Sequence, residues 1–285
     1  MRHFTASDGA RIAYRDEGEG RPLVFLHGLM AHSGFFPGQQ PLADSFRLIG
    51  VDLRGHGASA KAGGALTVDR LARDVAELAD ALDLEEAIAV GWSLGASVLW
   101  TLLSGPAGRR FAASVVVDMT ARVENVDGWD LGLSPEACAL RSAAIASDFK
   151  AFAMAAGQAI FSQPISERMR ETADWASAEF ARNDAATIGA VWKSLVAEDF
   201  RPLLPAIRQP TLIIHGRHSQ LYDAATARYL ARALPDAAEI EFEGSGHAPQ
   251  LEQSDAFNAA IRDFADRVAR TPQPNRQPQT QTHEI

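Results

Sequence analysis

The string Gly91-Trp92-Ser93-Leu94-Gly95 has the G-x-S-x-G spacing that can make a serine hydroxyl a nucleophile. It follows a short apolar run and opens a helical pattern. In that setting the chain turns so tightly that the residues flanking the serine must lack bulk. Gly91 and Gly95 supply the space and Ser93 is pushed out above the strand ends. The start of the helix brings the Leu94 N–H and a positive dipole end to the reacting centre. By itself the string also describes an ordinary glycine-lined turn, so its companions decide. His27-Gly28-Leu29 closes an earlier apolar run. Gly28 permits a sharp turn there, and the Leu29 N–H can face the same point as the Leu94 N–H. Two N–H groups converging on one oxygen form an oxyanion hole, in which one donor is worth about 3–4 kcal/mol. His27 itself reads as a packing residue. Gly244-Ser245-Gly246-His247 follows the last strand pattern. A lone loop histidine is usually a solvated residue, but at the carboxyl edge of a sheet His247 can reach the nucleophile and act as its base.

The elements that must position these residues are legible as periodicity. Residues 11–17 alternate like a strand, and 22–27, 47–52, 87–91, 112–118, 210–215 and 238–242 are short apolar runs of the kind buried on both faces of a parallel sheet. Helical spacing marks 67–82, with Thr67 as its N-cap, then 94–104, 224–233 and 253–270. Strands alternating with helices predict a parallel sheet covered on both sides. The alternation stops between about 120 and 200, which is Ala-rich, helical in pattern and carries Trp129, Trp175 and Trp192. We read this segment as an insertion over the carboxyl edge, closed by the hinge RPLLPAIRQP. The expected division is therefore a first core part (1–119), a helical cap (120–200), a second core part (201–270) and a Pro/Gln-rich disordered tail (271–285).

Composition removes several classes of function. The chain has 285 residues, 47% of them hydrophobic, which is globular composition. Lys and Arg number 27 against 36 Asp and Glu, a net charge of −9, so no basic face for nucleic acid or an anionic membrane is expected. The single cysteine, Cys138, rules out an intrachain disulfide and a multi-thiolate zinc site. No apolar run approaches the ~18–20 residues a membrane span needs, and the first residues lack the apolar stretch of a signal peptide. The expectation is a cytoplasmic protein that acts on a small molecule without nucleic acid or membrane.

LHGL (26–29), DLRGHGAS (52–59), GWSLG (91–95), PTLIIHG (210–216) and GSGH (244–247), in this order, resemble the α/β-hydrolase superfamily over about residues 10–270. The resemblance implies a mostly parallel eight-stranded sheet with helices on both faces and a helical cap inserted after the sixth strand. In DLRGHGAS, Asp52 and Arg54 are read as loop braces. One departure matters. The superfamily pattern after the penultimate strand is G-x-x-D, whose aspartate orients the histidine, but here the run is Gly216-Arg217-His218-Ser219. A serine cannot stabilise an imidazolium by charge, and in serine proteases that loss costs about 10⁴-fold. Two carboxylates keep the order nucleophile, acid, base. Asp118 ends the run VVVD, a place some superfamily members use for the acid. Asp223 lies four residues past Ser219 and would otherwise cap the helix 224–233. Asp118 is the preferred acid and Asp223 the alternative.

The expected reaction is cleavage of a carboxylic ester through an acyl-enzyme. Ser93 attacks, His247 carries the proton, Asp118 orients it, and the Leu29 and Leu94 N–H groups hold the oxyanion. Neither metal nor organic cofactor is required. Trp92, Met30 and His32 flank the catalytic loops and are expected to contact substrate. C–C bond hydrolase, thioesterase, lactonase and perhydrolase share such a triad. A ligand-binding protein on the same scaffold is the alternative of another class.

Overall fold

In the computed structural model, which describes residues 1–270, the apolar runs become strands of one eight-stranded sheet. In chain order they are β1 (Arg2–Thr5), β2 (Arg11–Glu17), β3 (Arg21–Leu26), β4 (Phe46–Val51), β5 (Ala87–Trp92), β6 (Phe111–Val117), β7 (Thr211–Gly216) and β8 (Ala237–Phe242). Their spatial order is β1-β2-β4-β3-β5-β6-β7-β8. β1 and β2 pair antiparallel, as do β2 and β4, and every other pairing is parallel. Every residue of β5, β6 and β7 is buried, which is why those runs lack polar alternation. β1 was not among the strands expected from residue patterning. It is four residues long, mostly exposed, and sits at the sheet edge, so no apolar run marks it.

The helices are α1 (Val68–Ala81), α2 (Leu94–Ser104), α3 (Pro135–Ser147), α4 (Phe149–Ala159), α5 (Arg170–Phe180), α6 (Ala185–Ala197), α7 (Ala224–Ala233), α8 (Pro249–Glu252) and α9 (Ser254–Arg270). Thr67 caps α1, its hydroxyl accepting from Arg70 N at 3.2 Å, and Leu71, Val75 and Leu78 on one face are buried. Four helices, α3 to α6, lie between β6 and β7. The first begins only at Pro135. Residues 120–134 are irregular, held by two isolated bridges and by Asn125 Oδ1, which accepts from Gly132 N at 2.7 Å. No helix among the described residues is long and apolar enough to cross a membrane. The expectation for 271–285 falls outside the described residues.

The topology opens the site. β4 lies on one side of β3 and β5 on the other, with Leu26 facing Gly91. The chains leaving β3 and β5 therefore diverge, and a crevice forms beyond their carboxyl ends, where open α/β sheets bind ligands. The loop after β8 then folds back over the end of β7. His218 N donates to Ser245 O at 2.9 Å, and a side chain added at Gly216 would strike the Gly246 carbonyl. That fold-back brings His247 from the edge strand towards β6 and β5.

Candidate active site

Ser93 sits between β5 and α2 with φ 52° and ψ −119°. Its N–H continues the ladder to Val117 O at 3.0 Å, so the strained turn is held from behind. Gly91 and Gly95 are required by close approach. A Cβ on Gly91 would meet the Gly95 carbonyl and Ala96 N, and one on Gly95 would meet the Leu26 carbonyl. Five described non-glycine residues have positive φ, and three of them, Met30, Ser93 and Asp118, lie just past the ends of neighbouring strands. Such positions cost about 1–3 kcal/mol each and persist where the surroundings over-determine them.

Asp118 follows β6 and is 3% exposed. Its N–H donates to Ile214 O at 2.8 Å. Asp118 Oδ2 lies 2.5 Å from His247 Nδ1 and accepts from the Ser219 hydroxyl at 2.6 Å. Asp118 Oδ1 has no hydrogen-bond partner among the described residues. Ser219, in place of the aspartate that the resemblance led one to expect, thus braces a carboxylate supplied by the neighbouring strand. Patterning could not have found this, because the pair is 101 residues apart. Asp223 is not brought to His247. It is exposed and caps α7, its Oδ1 accepting from Ala225 N at 2.8 Å.

The His247 loop is anchored twice. Trp92 Nε1 donates to His247 O at 2.7 Å, and the Trp92 and His247 ring centroids are 5.6 Å apart. Buried Glu252 accepts from Gly246 N at 2.7 Å and Ser162 N at 2.8 Å, and burial pushes its carboxyl up from the usual range. Neither contact was expected from the sequence.

Ser93 and His247 line one cavity of about 270 Å³. Gly28, Leu29, Met30 and Trp92 form its floor from the strand side, while Phe152, Ile160, Phe180 and Trp192 reach it from the helices between β6 and β7. A Cβ on Gly28 would come within 3.3 Å of Ser93 Cβ, so the loop carrying the Leu29 N–H passes directly beside Ser93. Neither the Leu29 nor the Leu94 N–H has a backbone acceptor among the described residues. Tyr222 also lines the cavity, and burial raises its phenol well above the ordinary value, so it stays protonated.

His32 does not join Trp92 and Met30 at this cavity. Met30, with φ 66°, turns the chain away, and His32 caps the 3₁₀ turn Ser33–Phe35 with Nδ1 accepting from Gly34 N at 3.0 Å. Its Nε2 lies 3.2 Å from Glu179 Oε2, and it lines a separate cleft with Arg15 and Trp175. His27 is fully buried; its Nε2 accepts from Leu53 N at 2.9 Å. Asp52 accepts from Ser33 N and Ala58 N, both at 2.8 Å, and Arg54 forks onto Asp74 with both bonds at 2.7 Å. Among the described residues no three His, Cys, Asp or Glu side chains form a metal-binding group.

Comparison with known proteins agrees with this architecture. The model of the alpha/beta hydrolase family matches residues 23–260. A pimeloyl-[acyl-carrier protein] methyl ester esterase from Nitrosomonas europaea is 32% identical over 254 residues, 87% of this chain and 97% of its own. An enol-lactonase from Burkholderia xenovorans superposes with a TM-score of 0.83 at 26% identity, covering 93% of this chain and all of its own, 100%. An esterase from Exiguobacterium antarcticum gives 0.86 at 23% identity, over 93% and 98% of the two chains, and speaks for the fold. With the sheet order, the turn at Ser93 and a family match over most of its length, the chain belongs to the alpha/beta hydrolase family and is a hydrolase.

Proposed function

We propose that this protein cleaves a carboxylic ester by an acyl-enzyme route with Ser93 as nucleophile, His247 as general base and acid, and Asp118 as the carboxylate that orients it. The observation that carries the reading is the 2.5 Å contact between Asp118 Oδ2 and His247 Nδ1, behind an imidazole that lines the same cavity as Ser93. With Nδ1 held by the carboxylate, Nε2 is the nitrogen left for the serine proton. Attack of Ser93 Oγ on the ester carbonyl places negative charge on its oxygen, beside the Leu29 and Leu94 N–H groups. His247 then delivers the proton to the leaving alcohol, and water attacks the acyl-enzyme with His247 again as base. The Ser219 hydroxyl keeps Asp118 turned to the imidazole. Helices α3 to α6 form the roof of the site, in the segment read as a cap over 120–200, and their apolar side chains select a small substrate and exclude water.

Esterase and lactonase names among the relatives support acyl transfer as the reaction class. The rival reading, a ligand-binding scaffold without turnover, rests on the absent aspartate at 219; the Asp118 contact with His247 favours the hydrolase reading over it. A fluorophosphonate probe tests the proposal. Wild-type protein is expected to label at Ser93 and lose p-nitrophenyl ester turnover in step. Ser93→Ala is expected to abolish labelling and to lower kcat by about 10⁶-fold. Wild-type protein that neither labels nor turns over such esters would overturn it.

A further inference from the structure

The cavity that holds Ser93 and His247 is walled by apolar side chains, glycine, the neutral Tyr222 phenol and one permanent cation, Arg141. Arg141 stands on α3, one turn beyond buried Cys138 and beside Ser142. Ser142 fixes this stretch of helix to the rest of the roof. Its hydroxyl accepts from Trp192 Nε1 of α6 at 2.9 Å and donates to Cys138 O at 2.9 Å. The guanidinium is half-buried and makes no hydrogen bond or ion pair among the described residues. Its charge acts on both Tyr222 and Cys138, so it is felt within the cavity. Most of the other buried or half-buried arginines contrast with it. Arg54, Arg47, Arg70, Arg122 and Arg201 each pair with a carboxylate of this chain. An arginine stays charged at every physiological pH, and an unpaired one on an apolar wall gives up hydration without compensation. The group that compensates it best is a carboxylate, which the planar fork can grip with two bonds.

Resting on the ester-hydrolase reading above, we propose that Arg141 is a specificity-determining residue and that the substrate is a short ester carrying a free carboxylate at the end of one arm, gripped by Arg141 while Ser93 attacks the ester carbonyl. A cavity of about 270 Å³ lies at the small end of ligand pockets, which limits the arm to a few carbons. The two ends of the substrate are then fixed by opposite means: the oxyanion hole holds the carbonyl, and the guanidinium holds the remote charge. Binding at the remote end positions the carbonyl for attack.

The test compares matched esters on the full-length protein. Mono-p-nitrophenyl glutarate against p-nitrophenyl valerate places the carboxylate on the acyl arm, and 4-acetoxybutyrate against butyl acetate places it on the alcohol arm. In one of the two pairs the wild-type protein is expected to favour the charged ester in kcat/KM. Arg141→Met is expected to lower that charged-to-neutral ratio by about 10- to 100-fold, mainly through KM, and Arg141→Lys to restore part of it. Because the readout is a ratio, a general loss of folded protein cancels. Turnover of the neutral esters, with no charged-ester preference in either pair or with a ratio unmoved by Arg141→Met, would overturn this inference and leave the ester-hydrolase reading standing. Absence of turnover on all four esters together with absence of fluorophosphonate labelling would remove both.

Discussion

Two buried histidine–aspartate groupings lie on adjacent loops of this molecule, and their polar atoms have different partners. In the first, His27 Nε2 accepts from Leu53 N, its Nδ1 meets Gly28 O at 2.8 Å, and both oxygens of Asp52 accept backbone N–H groups. His56 packs edge-on to His27, ring centroids 5.1 Å apart, with its Nδ1 against Arg54 O. Apart from His56 Nε2, which has no hydrogen-bond partner among the described residues, these atoms are met by main chain, so the grouping ties neighbouring loops together. In the second, the Asp118 carboxylate meets two side chains, His247 and Ser219, and His247 borders the cavity. A histidine beside an aspartate is therefore not a site until one asks whether its other atoms are occupied by backbone.

The sharpest way to break this distinction is to neutralise each aspartate in turn. Asp118→Asn is expected to lower kcat on a p-nitrophenyl ester by about 10⁴-fold with the melting temperature nearly unchanged. Asp52→Asn is expected to do the reverse, costing about 1–3 kcal/mol in urea unfolding because one braced N–H then faces an amide nitrogen. Equal loss of kcat in both variants would erase the contrast. Next in size is the acid response. Burial lowers the His27 imidazole to about 3 and that of His56 to about 4, whereas both titrate near 6.5 in an unfolded chain. Between those values the unfolded chain binds more protons, so stability is complete above pH 6.5 and is lost as pH falls towards 4. Each histidine contributes a slope of up to ~1.4 kcal/mol per pH unit. Urea midpoints at pH 7 and pH 5 measure it, and His56→Gln is expected to flatten the difference. The smallest effects concern the residues around the family's usual acid position. Ser219→Ala is expected to reduce kcat about tenfold by freeing Asp118, whereas Asp223→Ala leaves kcat alone and costs about 1 kcal/mol as a lost helix cap. A larger kcat loss at Asp223 than at Ser219 would reverse the assignment of the acid.

How far the sequence speaks for itself follows the range of the interactions. Strands β3 and β5 to β7 are buried on both faces, and burial of that kind writes an unbroken apolar run. The turn at Ser93 is written locally too, because Gly91 and Gly95 are demanded by contacts within and just beside the turn. β1 left no such mark, being short, exposed and at an edge. His32 lies close in sequence to the Leu29 loop, but the positive φ at Met30 redirects the chain, and backbone handedness at one residue is not visible in its type. The Ser219–Asp118 bond and the placement of Arg141 depend on how distant segments meet. α3 is an Ala-rich helix in which no periodicity tells which face roofs a cavity.

The bond from the Trp92 indole to the His247 carbonyl joins residues 155 positions apart. Translation proceeds from the amino end, so the turn carrying Ser93 leaves the ribosome long before His247 does. At about 5–20 residues per second, roughly 8–30 s separate the synthesis of Ser93 from that of His247. On the proposed mechanism, a nascent polypeptide that stops short of residue 247 has no base for Ser93 and cannot attack an acyl group.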